Sequence, residues 1–423
     1  MSRKQWRKLD IVERIERGEM TIAEGAAALD LSRRQMQRVR KRVRRERQAG
    51  VVHGNAGRAP KHKLAKLVRE RVVALRRKVY EGFNDQHFTE KLVEVEGLSI
   101  SRASVQRILR EAGIGAARGR RPPKHRRRRD RRPQAGQMIL WDGSRHRWLE
   151  ERGPHLCLMA AIDDATGELL PGAHFVDQEC TLGYLRVLRD VVKDKGVPLT
   201  AYMDRHGTLR RNDKREWTLE EQLAGRRQPT QVKRALDELG IQVIYALSPQ
   251  AKGRVERLWG TLQDRLVSEL RLADARTVEE ANRVLETYRV AHNARFAIPA
   301  QDAHQAWRPC PDADTADALC ALQYIRVVAN NNTVKVGHQI IDIRRNKGRR
   351  ASYAKAYVTV RHLLDGRFRV YFGGQCIAET KAAPPTGATG EARSVEVKKR
   401  SLKMQRERRR RNEGEGVTES LSS

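Results

Sequence analysis

ILWDGS at residues 139–144, TAYMDRHG at 200–207 and SPQAKGRVERLWG at 248–260 decide how this chain reads. The first two are short apolar runs of strand character, each meeting a carboxylate, Asp142 or Asp204. The third breaks at Pro249 and then takes helical spacing, with Val255, Leu258, Leu262 and Leu266 on one side and Glu256 near the start. Three carboxylates set in this way are remote in sequence, yet one α/β fold can bring them together. Hard oxygen donors of that kind hold divalent cations such as Mg2+.

The surrounding pattern supports such a fold. Strand-like runs occur at Met138 to Trp141, LCLMAAIDD (156–164) and LLPGAHFVD (169–177), separated by turn residues such as Gly153, Pro154 and Gly167. A helix follows with Leu182, Leu185, Leu188 and Val192 on one face, and LTAYMD is a fourth strand. After a polar insertion from Arg205 to about Gln228, Val232, Ala235, Leu236 and Leu239 mark a helix and IQVIYALS a fifth strand. The order βββαβαβα over residues 137–308 predicts an α/β layer with its sheet covered on both faces. Asp163 and Asp164 also end a strand, and they are assigned to the turn into ATGE.

Charge narrows the partner. The chain has 423 residues with 86 Lys+Arg against 52 Asp+Glu, a formal net charge of +34. That excess points to a polyphosphate, and double-stranded DNA is the expected partner. A membrane is not expected, because no stretch approaches the roughly 18 apolar residues of a span. The polar, Arg-bearing start lacks the apolar region of a signal peptide, so the protein is expected to stay in the cytoplasm. Five cysteines without close CxxC pairing fit reduced, buried small residues, and zinc has little support.

The N-terminal residues 1–50 read as a helix-turn-helix. Leu9, Val12 and Ile15 lie at helical spacing, and Ser32 can cap a third helix whose first turns carry Arg33, Arg34, Gln35, Gln37 and Arg38. Those side chains could meet base edges in a major groove while the later arginines face phosphates. Residues 58–115 form a second, looser helical block of the same kind, ending in LSISRASVQRILREAG. The arginine-rich stretch 116–136 has too few apolar residues for a core and reads as a linker that tracks phosphate backbone. Residues 318–380 contain about half a dozen short strand signals with turns at Asn330 to Asn332, Asp365-Gly366 and Gly373-Gly374, which predicts a small all-β barrel. The basic tail 381–423 is expected to be disordered.

With these residues in view, the chain resembles the DDE recombinase superfamily, which has a retroviral-integrase-type, RNase H-like catalytic core. WDGS with the following IDDATG, and SPQAKGRVERLWGTLQDRL, resemble the ISNCY-like group of bacterial insertion-sequence transposases. The resemblance implies that Asp142, Asp204 and Glu256 are the catalytic metal ligands for two Mg2+ ions, with Mn2+ able to substitute. It also implies that Lys252, Arg254 and Arg257 touch DNA. The implied function is to bind terminal inverted repeats, cleave the ends and transfer the strands to target DNA, as a homo-multimer on DNA. The alternative is a catalytically silent DNA-binding regulator derived from such an enzyme. One departure is the separation of the last two carboxylates, 256 − 204 = 52 residues, longer than is usual in the superfamily. The polar insertion accounts for it. DRHG also stands where DNG is common, which leaves His206 a weak candidate.

Overall fold

The computed structural model describes residues 1–53, 64–116, 129–203, 228–245, 253–344 and 352–381. They divide into two compact units, Met1–Ala74 and Leu75–Ser423. Asp204, His206, Lys252, the polar insertion, most of the arginine-rich stretch and the basic tail lie outside the described residues.

The first unit is built on three helices, α1 (Arg3–Glu16), α2 (Ile22–Ala28) and α3 (Arg33–Glu46), each opened by a capping box on Ser2, Thr21 and Ser32. Ile11, Val12, Ile15, Ala26 and Met36 bury their side chains together at the centre. Gly25 allows close packing there, because a Cβ at that position would stand 2.5 Å from the Ile15 methyl and that side chain would have to shift. Arg40 and Arg44, expected to face phosphates, both bond Glu16 of α1.

Helix α4 (Lys66–Lys78) spans the division at Leu75, and the second unit continues with α5 (Asp85–Glu94) and α6 (Arg102–Glu111). The five-stranded sheet that follows contains β1 (Met138–His146), β2 (Leu156–Asp163), β3 (His174–Val176), β4 (Thr200–Met203) and β5 (Gln242–Tyr245) in the order β3-β2-β1-β4-β5. The first three strands are antiparallel, and β4 and β5 are added in parallel. With α7 (Thr181–Asp194), α8 (Gln231–Glu238) and α9 (Gly253–Leu272), the element order is βββαβαβα, as the periodicity predicts.

Strand alternation explains why both faces are covered. Ile139 and Trp141 of β1 join Tyr184, Leu188 and Val191 of α7 in one core, while Met138 and Leu140 join Leu258, Leu262 and Leu266 of α9 in the other. Every residue of β2 is buried, as a strand sandwiched on both sides requires. A further helix not expected from the sequence, α10 (Val278–Phe296), lies beside the edge strand β3. Its Asn282 accepts from Phe175 N at 2.7 Å and donates to Phe175 O at 3.2 Å. Asn293 makes the same pair of bonds to Leu169, at 2.8 and 2.9 Å. Two amide side chains thus satisfy backbone groups that an edge leaves unpaired.

The α5–α6 block is docked on α9 by charge. Glu90 of α5 accepts from Arg265 at 2.6 and 3.1 Å, and Glu269 of α9 takes Lys91 at 2.8 Å and lies 2.7 Å from His87 Nε2. Arg265 is only 7% exposed, and Arg295 of α10 joins the network at Glu90.

At the C-terminal end, α11 (Ala313–Leu319) leads into β6 (Leu322–Val327), β9 (Tyr357–His362), β10 (Phe368–Phe372) and β11 (Gln375–Glu379), a four-stranded antiparallel sheet. β7 (Thr333–Val336) and β8 (Gln339–Asp342) form a separate ribbon. Val334, Ile341, Val358, Val360 and Val370 bury one core between them. Among the described residues no strand pairing joins sheet to ribbon, so what was expected as a barrel is an open sheet with a hairpin packed on it. The five cysteines are free thiols. Cys157 and Cys320 are buried, and burial pushes both thiols up to about 12, but Cys310 is exposed, against expectation.

Candidate active site

Asp142 stands in the middle of β1, half-buried, on the side of the sheet that faces α9. The indole Nε1 of Trp259 donates to its Oδ2 at 3.1 Å. Further along the same two elements, Gln263 Nε2 donates to Ser144 Oγ at 3.3 Å. The two contacts keep step: four residues of helix rise about 6 Å and two residues of strand about 6.6 Å, so α9 runs along β1 in the same direction. Glu256 lies one helical turn before Trp259 and is exposed in the first turn of α9. The fold therefore brings the helix of Glu256 onto the strand of Asp142.

The third expected carboxylate, Asp204, follows Met203, the last described residue of β4. β4 pairs in parallel with β1, Met138 with Thr200 and Leu140 with Tyr202, so both strands run toward the same end of the sheet. Among the described residues no three His, Cys, Asp or Glu side chains are grouped to hold a metal ion. Asp142 and Glu256 are both accessible carboxylates on facing elements, a donor set that suits a hard cation.

Glu179, which sequence reasoning passed over, comes close to this region. A Cβ at Gly143, the neighbour of Asp142, would stand 3.2 Å from its carboxylate, a tight contact. Tyr184 Oη donates to Glu179 Oε1 at 2.6 Å. No sequence motif marked Glu179, because its proximity depends on how α7 packs on β1.

Asp163 is a turn former, as expected. Its Oδ1 accepts from Ala165 N and Thr166 N at 3.0 and 2.9 Å, and its Oδ2 accepts from Gly136 N at 2.8 Å. Burial raises its pKa, and those bonds oppose the rise. Asp164 differs: its side chain leaves the turn and accepts from Arg129, Arg132 N and Arg254.

That bond changes the reading of Arg254. Expected to touch DNA, its guanidinium is 13% exposed and committed to Asp164 and to the Arg129 carbonyl. Arg257 is exposed. In the first unit Arg33, Arg34, Gln37 and Arg38 are exposed, but Gln35 spends its side chain on the helix cap, accepting from Ser32 N at 2.9 Å.

Relatives place the chain. It is 33% identical over 380 residues to a putative transposase, y4bF, of Sinorhizobium fredii (strain NBRC 101917 / NGR234), covering 89% of this chain and 80% of the relative. It is 31% identical over 324 residues to the transposase for insertion sequence IS1202 of Streptococcus pneumoniae, covering 69% and 68%. The chain belongs to the transposases of insertion sequences. Membership of this transposase family fits the basic composition. No family model matches the chain. Among solved structures, it is similar to a simian T-cell lymphotropic virus intasome in complex with PP2A regulatory subunit B56 gamma, at 12% identity and a TM-score of 0.31 over 74% of this chain and 99% of that one. The HTLV-2 integrase catalytic core domain in complex with magnesium (dimeric form) matches at 15% and 0.25, over 36% and 86%. Likeness of that extent carries no argument about this transposase. No helix among the described residues is long and apolar enough to cross a membrane.

Proposed function

We propose that this transposase binds the terminal inverted repeats of its insertion sequence, cleaves the DNA strands there and transfers the freed 3′ ends to target DNA. Asp142, Asp204 and Glu256 hold the divalent metal. When bound, a pair of Mg2+ ions, or Mn2+ in their place, would supply the Lewis acidity for in-line attack at a phosphodiester. The chain's own part is positional. Trp259 fixes the rotamer of Asp142 through Oδ2, and the packing of α9 along β1 presents Glu256 on the same side.

The observation that carries this reading is the Trp259–Asp142 bond, because it joins the first and last carboxylate-bearing elements directly. The α1–α3 unit presents Arg33, Arg34, Gln37 and Arg38 to a DNA groove, with α6 as a second reader fixed to the core. The C-terminal β-domain and the basic tail would serve assembly on DNA as a homo-multimer, since two ends must be cut in concert.

The test uses a duplex bearing the element's own terminal repeat. Asp204→Asn and Glu256→Gln should each abolish cleavage in Mg2+ while retarding the same duplex in a gel as well as the wild type does. Joining by either variant at the wild-type level would sink the assignment. A wild-type protein that binds the repeat but never cuts it would favour the silent regulator.

A further inference from the structure

We infer that Asp164 is a positioning residue for this active site, tying the end of the basic stretch to the start of the helix that carries Glu256. The inference rests on the metal-ligand reading given above, and it adds a residue that the reading does not use.

Asp164 is fully buried. The turn it belongs to does not need its side chain, because Asp163 supplies the bonds that close the turn to Ala165 and Thr166. Its carboxylate instead meets donors from two distant segments. Arg129 binds it through both terminal nitrogens, Nη2 to Oδ1 at 2.6 Å and Nη1 to Oδ2 at 3.1 Å, and the Arg132 backbone N–H donates to Oδ2 at 2.8 Å. Arg254 Nη1 donates to Oδ1 at 2.5 Å, and its Nη2 closes the knot on the Arg129 carbonyl at 2.6 Å. Arg131 adds bonds to the carbonyls of Asp164 and Ala165 at 3.1 and 3.0 Å.

A buried carboxylate is tolerated only when its charge is matched and its oxygens are satisfied, and here both conditions are met by groups the knot holds in place. Arg254 sits in the first turn of α9, on the same turn as Glu256. Fixing Arg254 fixes where that turn begins, and the Trp259 bond to Asp142 then fixes its far side. Removing the charge of Asp164 should leave the sheet intact and loosen both the first turn of α9, which carries Glu256, and the segment from Arg129 to Arg132.

The experiment compares full-length wild type with Asp164→Asn, Arg254→Gln and Asp142→Asn. Asp164→Asn should raise the Mg2+ concentration for half-maximal cleavage by about tenfold, the usual cost of losing a residue that orients a metal ligand. Retardation of the terminal-repeat duplex should be unchanged. Independently of catalysis, trypsin should cut after Arg129 and Arg131 faster in Asp164→Asn than in wild type, as mapped by mass spectrometry. Arg254→Gln should reproduce the Mg2+ effect and serves as the deciding variant if Asp164→Asn does not fold. A lower melting temperature with an unchanged Mg2+ requirement in the deciding variant would overturn the inference and leave Asp164 a structural residue. Cleavage by Asp142→Asn would instead overturn the metal-ligand reading, whatever Asp164 does.

Discussion

Trp259 and Asp142 are joined by a single hydrogen bond, from indole Nε1 to Oδ2 at 3.1 Å, and the indole ring is 8% exposed. The ring buries its apolar body in the core beneath β1 while its one polar atom holds a carboxylate half-buried at the surface. Trp259→Phe keeps most of the packing and removes the donor. Cleavage in Mg2+ should fall by about tenfold, with stability lowered by about 1 kcal/mol. Parallel gel cleavage and urea melts check both, and an unaltered cleavage rate would show that Asp142 needs no such orientation.

The amide clamp on the edge strand should matter for stability and not for chemistry. Asn282→Leu strands the N–H and C=O of Phe175 beside an apolar side chain, at a cost of about 1–3 kcal/mol for buried groups left unpaired. Urea denaturation of the full chain should show a lower midpoint with an unchanged slope.

In the Arg265–Glu90 contact, one partner can be removed or both. Arg265→Ala leaves the Glu90 carboxylate facing a hole at the α5–α9 junction and should destabilise the second unit by about 3 kcal/mol. Arg265→Met with Glu90→Gln replaces the charges with uncharged groups of similar size and should recover much of that loss. A double variant no more stable than Arg265→Ala would rule out charge as the cause.

Acid should weaken the second unit through two histidines. Burial pushes both His174 and His292 down to about 4 from an ordinary value of 6.5. Between those values the unfolded chain binds a proton that the folded chain refuses, so stability drops as pH falls from about 6.5 to about 4. Below about 4 these two groups add no further loss. His292→Leu should flatten the fall in melting temperature across that window, and a slope equal to that of wild type would contradict the assignment.

Within α3, the arginines and Gln35 should separate into two classes. Arg34→Ala and Arg38→Ala should weaken binding of the terminal repeat and reduce the salt dependence of affinity by about one unit each. Gln35→Ala removes half of a capping box and should lower the melting temperature instead, with about 1 kcal/mol lost. Affinity measured against salt, beside a thermal melt, tells them apart.

The α/β core was readable because its signals are local. Alternation in β1 and the spacing of Leu182, Leu185 and Leu188 in α7 each come from one run of sequence, and together they set the order of elements. Helix α10 was missed although Thr277 and Glu280 form its capping box, because few of its residues are buried and the apolar period is faint. Arg254, Gln35 and Asp164 make contacts that the sequence does not announce, for a different reason. A charged or amide side chain does not disclose its partner, and each of these spends its hydrogen bonds on groups that packing alone brings near. The barrel expectation has the same origin: strand number is local, while closure depends on pairing between β7–β8 and the larger sheet, which the described residues do not show.

The asparagines of α10 also constrain how copies of this protein can associate. With Asn282 occupying the main-chain groups of Phe175, no foreign strand can be added at that border of the sheet without first prising an amide away. Growth of a continuous intermolecular sheet there is disfavoured, which guards a highly charged protein against aggregation through its central sheet. Protomers meeting on that side must recognise one another through side chains.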